Sequence, residues 1–301
     1  MSVDPPVGRR WPEHEYEVGR EKVREYAAAI GADAAIHREH DAARELGYPA
    51  VVAPPTFAAV YVAVPLASVM FDPAVGVYDP EVGLAGYRLV LRTQDWEWHE
   101  PVCSGDRIVT VASLEDAGER DGSQFRVFGT ESRNGDGALV CRGRYEGVVP
   151  GARRQGSDPK GSDPSLPKGS DPVATHGEPI EPLRVTPDRY APVRYAGASG
   201  DFTPFHLDAD LARALGLPGV ILHGLYTYAQ LARAIVGTYG GDPRVLRRLS
   251  GRFRRPAVPE RELVAAAWVT GEDGGEVTLS GEVSQGGEAV IAGAVATVRP
   301  K

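Results

Sequence analysis

The chain has 301 residues, a formal net charge of −8, 42% hydrophobic and 25% charged residues. That length suggests about two domains, and that balance lets each bury an ordinary core. A net negative chain lacks the basic surface that phosphate backbones need, so nucleic acid is excluded as a partner.

The first residues, M-S-V-D-P-P-V-G-R-R-W, carry no apolar run of the secretory type, so no signal peptide is expected. A short strand at 16–18 leads into a helix over 20–30, and a second, short helix follows at 40–46. Residues 48–71 contain no charge and are long enough to suggest a membrane span. Pro49, Pro54, Pro55 and Pro65 divide them, however. Pro54-Pro55 suits a helix start and Pro65 its interruption or end. The result is a helix over 56–64, too short to span, so no membrane is expected. Four strands follow, at 86–98, 107–114, 124–134 and 138–149. Cys103 and Cys141 belong to this region and form no Cys-x-x-Cys, which suits buried free thiols in a reducing cytosol. A cytoplasmic location is the corresponding expectation.

Residues 151–178 repeat Gly-Ser-Asp-Pro from Gly156, Gly161 and Gly169. Such a segment buries almost nothing and reads as a flexible linker. Beyond it the same order returns: strand 184–186, helix 187–197, helix 209–215, helix 225–236, then strands 247–254, 262–270, 276–285 and 288–299. The turns Asn134-Gly135-Asp136-Gly137 and Gly286-Gly287 are hairpin chemistry. A central helix followed by consecutive antiparallel strands fits a sheet wrapped around that helix, an α+β class. The expected division is 10–150, linker 151–178, and 179–301.

The two halves are related in sequence. Shifting by 169 aligns Tyr26 with Tyr195, Gly31 with Gly200, His37 with His206 and Pro49 with Pro218, with 12 identities in 32 positions. Composition alone would give roughly 2. Later the offset is 155, from Pro101 to Pro256, so the first half carries extra residues, placed around 70–82. Ala32 stands opposite Asp201, and Pro54-Pro55 opposite His223-Gly224.

That contrast locates the chemistry. Asp201 alone would read as a turn cap and His206 alone as a structural histidine. Five residues apart across a Pro204 turn, they can face one water, which needs a polar group on each side to deliver its hydroxyl and its proton to neighbouring carbons. Gly224 opens the apolar helix, where free N–H groups and the helix dipole can bind a carbonyl oxygen. His223 reads equally as a substrate contact or as a helix-start residue. No His-Glu-x-x-His, nucleotide loop or nucleophile elbow is present, so neither a metal nor a cofactor is expected.

The stretch A-S-G-D-F-T-P-F-H-L-D, followed by G-L-P-G-V-I-L-H-G, closely resembles the motif of the MaoC-like family of (R)-specific enoyl-thioester hydratases and dehydratases. The family's Asp matches Asp201, its His matches His206, its oxyanion-binding Gly matches Gly224, and its following acid matches Asp208. The resemblance implies a double hot dog fold in which one half keeps the catalytic pair. The other half, with A-P-P-T-F at 53–57, resembles a degenerate dehydratase domain that helps shape the acyl pocket. It also implies an acyl-CoA or acyl-carrier-protein substrate, a pseudo-dimer within one chain, and room for a further homodimer. Alternatives are a hot dog thioesterase or a non-catalytic acyl-binding subunit. Arg247, Arg248, Arg252, Arg254 and Arg255 are a candidate carrier patch, or else a solvated strand edge.

Overall fold

The computed structural model describes residues 5–79, 81, 89–120, 122–149 and 177–300. Of the expected linker 151–178, all but Gly177 and Glu178 lie outside them, as do positions 86–88 of the first expected strand.

The first half runs β1 (His14–Glu17), α1 (Arg20–Ile30), α2 (His40–Glu45), α3 (Ala58–Tyr61), α4 (Ala63–Met70), β2 (Val90–Trp98), β3 (Arg107–Arg120), β4 (Ser123–Asn134) and β5 (Leu139–Val149). The second runs β6 (Glu178–Pro179), β7 (Leu183–Val185), α5 (Ala191–Ser199), α6 (Ala209–Ala214), α7 (Gly224–Thr238), β8 (Leu246–Phe253), β9 (Leu263–Asp273), β10 (Glu276–Gln285) and β11 (Glu288–Val298). Each half is a sheet wrapped on its own helix, the double hot dog that the motif implied. Gly286 and Gly287, both at positive φ, close the two-residue hairpin between β10 and β11.

Several boundaries differ from the sequence reading, β3 running to Arg120 where 107–114 was expected, and proline explains two of the others. Pro65 does not end a helix. The break falls at Val62, and Pro65 sits in the first turn of α4, where its missing N–H has no acceptor to lose. Likewise α5 begins at Ala191 rather than 187, because Pro192 is tolerated only in the first turn. The extra residues of the first half also lie later than expected. The 3-10 turns Pro73–Val75 and Pro243–Val245 correspond, but the second passes directly into β8 whereas β2 starts only at Val90.

Among the described residues the strands form one antiparallel sheet in the order β1-β3-β4-β5-β2-β8-β11-β10-β9-β6, with β7 also on β9. The halves meet through β2 and β8 in the middle of this sheet. Asp95 pairs with Ser250 there, and these two are related by the same offset of 155 that links Pro101 to Pro256. A pseudo-twofold axis therefore passes through that pair. The aromatic core crosses the same seam. Trp96 of β2 is fully buried, with its ring edge-on to Tyr228 of α7 at 5.4 Å. Tyr26 of α1 meets its own counterpart, Tyr195 of α5, at 5.9 Å.

This seam also removes the strand-edge alternative for the arginine cluster. The cluster is not at a sheet edge, since β8 is a central strand. Arg248 pairs with Asp95 at 2.6 Å, Arg255 with Glu288 at 3.0 Å, and Arg247 donates to the His99 carbonyl at 3.2 Å. Cys103 and Cys141 are free and buried, and burial pushes both thiols up to about 12. No described helix is long and apolar enough to cross a membrane.

A buried polar knot fastens the halves at one end. Asp242 accepts from the Tyr48 hydroxyl and, through both carboxylate oxygens, from Arg244, whose guanidinium lies 4.3 Å over the Tyr48 ring. Arg244 also donates to the Leu46 carbonyl at 2.7 Å. Removing the acid leaves the Tyr48 hydroxyl without its partner, while Arg244, its side chain 30% exposed, stays partly solvated, so the loss is that of hydrogen bonds to a charged group, about 1.5–3 kcal/mol. Asp242→Ala should therefore lower the unfolding free energy by about 2 kcal/mol. Tyr48→Phe, which leaves the ion pair intact, should cost only about 1 kcal/mol. Urea unfolding of the two variants checks the ratio.

Candidate active site

Helix α5 ends at Gly200, which takes the left-handed φ of 82° that a side chain would resist. The chain then turns back at Asp201. Its Oδ1 accepts from the Thr203 N–H at 3.1 Å and from the Thr203 hydroxyl at 2.5 Å. Asp201 is thus a turn cap as well as a candidate for chemistry, and Oδ2 makes no hydrogen bond to protein among the described residues. Pro204 then opens a 3-10 turn, Pro204–His206, which delivers the imidazole. Asp208 is occupied otherwise: its side chain caps α6 through the N–H groups of Asp210 and Leu211.

His206 is 6% exposed. Its Nδ1 donates to the Ile221 carbonyl at 2.9 Å, which leaves Nε2 as the bare nitrogen. His223, at the N-cap of α7, is 1% exposed, and its Nε2 donates to the Asp201 main-chain carbonyl at 2.9 Å. The two imidazoles stack with ring centroids 3.8 Å apart and planes at 23°. A carboxylate oxygen of Asp201 and one ring nitrogen of each histidine lie within 4.8 Å of one another. The structure thus gathers Asp201, His206 and His223 at the N-terminus of α7, beside Gly224. A Cβ at Gly224 would come within 3.1 Å of the Phe253 ring, so a side chain fits there only if that ring yields by a few tenths of an ångström.

Those distances would admit a cation, but the arrangement suits one poorly. The ring-to-carbonyl bonds would suit metal ligands as well, but rings stacked at 3.8 Å hold their lone pairs in nearly parallel planes instead of aiming them at one point. Electrostatics favour a neutral imidazole pair beside a carboxylate. Burial pushes His206 down to about 4, the neighbouring His223 adds to this, and Asp201 only partly opposes it. Burial also lowers His223. Burial would raise the Asp201 carboxyl, but the two imidazoles and Thr203 outweigh it and hold it below its usual range.

The corresponding place in the first half keeps the scaffold without the acid. His37 is buried and donates from Nδ1 to the Val52 carbonyl at 2.7 Å, the counterpart of the His206 bond to Ile221. Ala32 replaces Asp201, and the neighbouring Asp33 is exposed. Pro54 and Pro55 offer no N–H at the helix mouth. Trp98, the counterpart of Phe253, donates its indole N–H to the Pro55 carbonyl at 2.9 Å and closes it.

Residues 171–290 match the family described as MaoC like domain, and residues 6–142 match the FAS1-like, dehydratase domain region. The chain belongs to the MaoC-like dehydratase family. It is 28% identical over 299 residues to the peroxisomal enoyl-CoA hydratase 2 of Arabidopsis thaliana, covering 96% of this chain and 93% of that one. It is 39% identical over 158 residues to a UPF0336 protein of Saccharopolyspora erythraea, covering 52% of this chain and 95% of the relative. A solved MaoC-like dehydratase shares the fold with a TM-score of 0.81 at 24% identity, over 98% of both chains.

Two features of this MaoC-like site escaped sequence reading. The stacking of His223 on His206 joins residues 17 positions apart, and nothing local announces it. The Trp98 stopper could have been found by aligning Trp98 with Phe253 at the offset of 155.

The pH response follows with a definite sign. An unfolded histidine takes a proton near about 6.5, whereas folded His206 does so only near about 4. Between these values the unfolded chain binds more protons, so stability falls as pH drops through that window. Nitrogen-15 NMR of labelled histidine should show His206 still neutral, with the proton on Nδ1, at about pH 5. Titration of this ring near about 6.5 would contradict the buried geometry.

Proposed function

We propose that the protein adds water to trans-2-enoyl thioesters and, in reverse, dehydrates (3R)-hydroxyacyl thioesters, with Asp201 and His206 acting on a single water. The observation that carries this reading is the approach of an ionised carboxylate and a bare imidazole nitrogen at a helix N-terminus. Asp201 and His206 Nε2 each accept one O–H of the water. The water oxygen bonds to C3, one of its protons passes to C2, and both additions fall on the same face. As C3–O forms, the double-bond electrons move toward the thioester carbonyl. The Gly224 N–H at the start of α7 stabilises that developing oxyanion, a contribution of about 3 kcal/mol from one donor. The chemistry needs no electron transfer and no group beyond these side chains. Full-length similarity to an enoyl-CoA hydratase favours coenzyme A as the carrier.

The first half serves as scaffold and pocket wall. Its helix α3 packs against α5, the helix whose end carries Gly200 and Asp201.

Hydration is followed by loss of the conjugated enoyl-thioester absorbance, with a thiol reagent present to detect hydrolysis and product stereochemistry determined. Asp201→Asn and His206→Gln should each lower kcat by at least ~100-fold, the contribution typical of a positioned acid or base. The double variant should be little worse, because both groups act on one water. His37→Ala should stay within about threefold of wild type, as expected for a residue outside the transition state. Release of free thiol without hydration would instead identify a thioesterase, and near-normal turnover of Asp201→Asn would remove the assignment.

A further inference from the structure

We infer that His223 is a positioning residue, one that fixes Asp201 and His206 relative to each other without touching substrate. The inference rests on the hydratase reading of this site. His223 is anchored by its own backbone as the N-cap of α7, yet its side chain does not cap that helix. It turns instead to the catalytic loop, where Nε2 holds the Asp201 carbonyl at 2.9 Å. One face of the ring lies on His206 at 3.8 Å. The ring also packs against Tyr195 at 4.9 Å, and Tyr195 is itself held against Tyr26 of the other half. At 1% exposure, with Nε2 engaged and the unpartnered Nδ1 also buried, the ring presents no solvent-accessible edge to a substrate.

The loop has reason to need this hold. Asp201 follows a left-handed glycine and is otherwise fixed only by its turn with Thr203 and by an N–H bond to the Ser199 hydroxyl at 3.2 Å. A shift of about 1 Å in a reacting group can cost about 100-fold in rate. The carbonyl bond sets where the loop crosses α7, and the stack sets the plane in which His206 Nε2 points. In the first half Pro54 stands where His223 does and can do neither, and there the acid is absent too.

Two substitutions separate these contributions. His223→Gln keeps a donor at about the reach of Nε2 but loses the ring. His223→Phe keeps the ring but loses the donor. We expect His223→Phe to lower kcat by at least ~30-fold with KM within about threefold, and His223→Gln to recover at least about a tenth of wild-type kcat. Rates are normalised to the folded fraction from the melting transition. The loss should fall on kcat with KM held, a split that a merely structural role would not produce. Turnover of His223→Phe within about threefold of wild type overturns the proposal, as does a His223→Gln no better than His223→Phe. If His223→Phe does not fold, His223→Ala, which loses both ring and donor, decides: turnover within about threefold of wild type overturns it. Asp201→Asn is assayed alongside. Should that variant be inactive while His223→Phe is normal, only the positioning role falls; should it be fully active, the hydratase reading falls first.

Discussion

The antiparallel pairing of β2 with β8 is the contact on which the rest of the molecule depends. It turns two wrapped sheets into one continuous sheet, with its pseudo-twofold axis at Asp95 and Ser250. Without that pairing, each half would present a row of unpaired N–H and C=O groups along a long central strand. With it, the open edges retreat to β1 and β6, strands of four and two residues. The same axis forces Tyr26 against Tyr195 and places Trp96 beside Tyr228, so the halves share one hydrophobic core. The loop that carries Asp201 is braced from the same core, because Tyr195 backs the imidazole of His223.

Much of this architecture was legible because local rules and tertiary structure agree. Glycines at 31 and 200 end equivalent helices by adopting positive φ, and the repeat displays them at one offset. The strands alternate cleanly, and Gly286-Gly287 can only be a tight turn. Proline was misjudged where its position within a helix mattered. Of the two outcomes expected at Pro65 the interruption is found, at Val62, and not the end, since α4 resumes at Ala63 and carries Pro65 in its first turn. Within the site, the Asp201–His206 spacing was readable, since the Pro204 turn is local. The task of His223 was not, for it depends on α7 meeting the motif loop in space. The strand-edge alternative for the arginine cluster failed for the same kind of reason. A strand's rank within a sheet is a tertiary fact, and β8 carries no local mark of being central.

Comparison of the two helix mouths shows how little separates them. Pro54 has φ −57° and ψ 149°, and His223 has φ −60° and ψ 138°, nearly the same backbone. The histidine-to-carbonyl bond survives in both copies. What differs is the chemistry of the lining: a carboxylate against a methyl group, free N–H groups against proline rings, and Phe253 against an indole that caps the mouth. The fold tolerates both sets because neither change touches the sheet or the glycine turns.

The pseudo-twofold axis has a consequence for how such a molecule can diverge. In a dimer of identical units, every substitution appears twice, so a residue that suits one mouth is imposed on the other. Joining both units in one chain lifts that restraint. Trp98 and Phe253 occupy matching places yet answer to different demands, and Ala32 could arise without erasing Asp201. The chain gives up the symmetry of two identical mouths and gains the freedom to shape one half around the needs of the other.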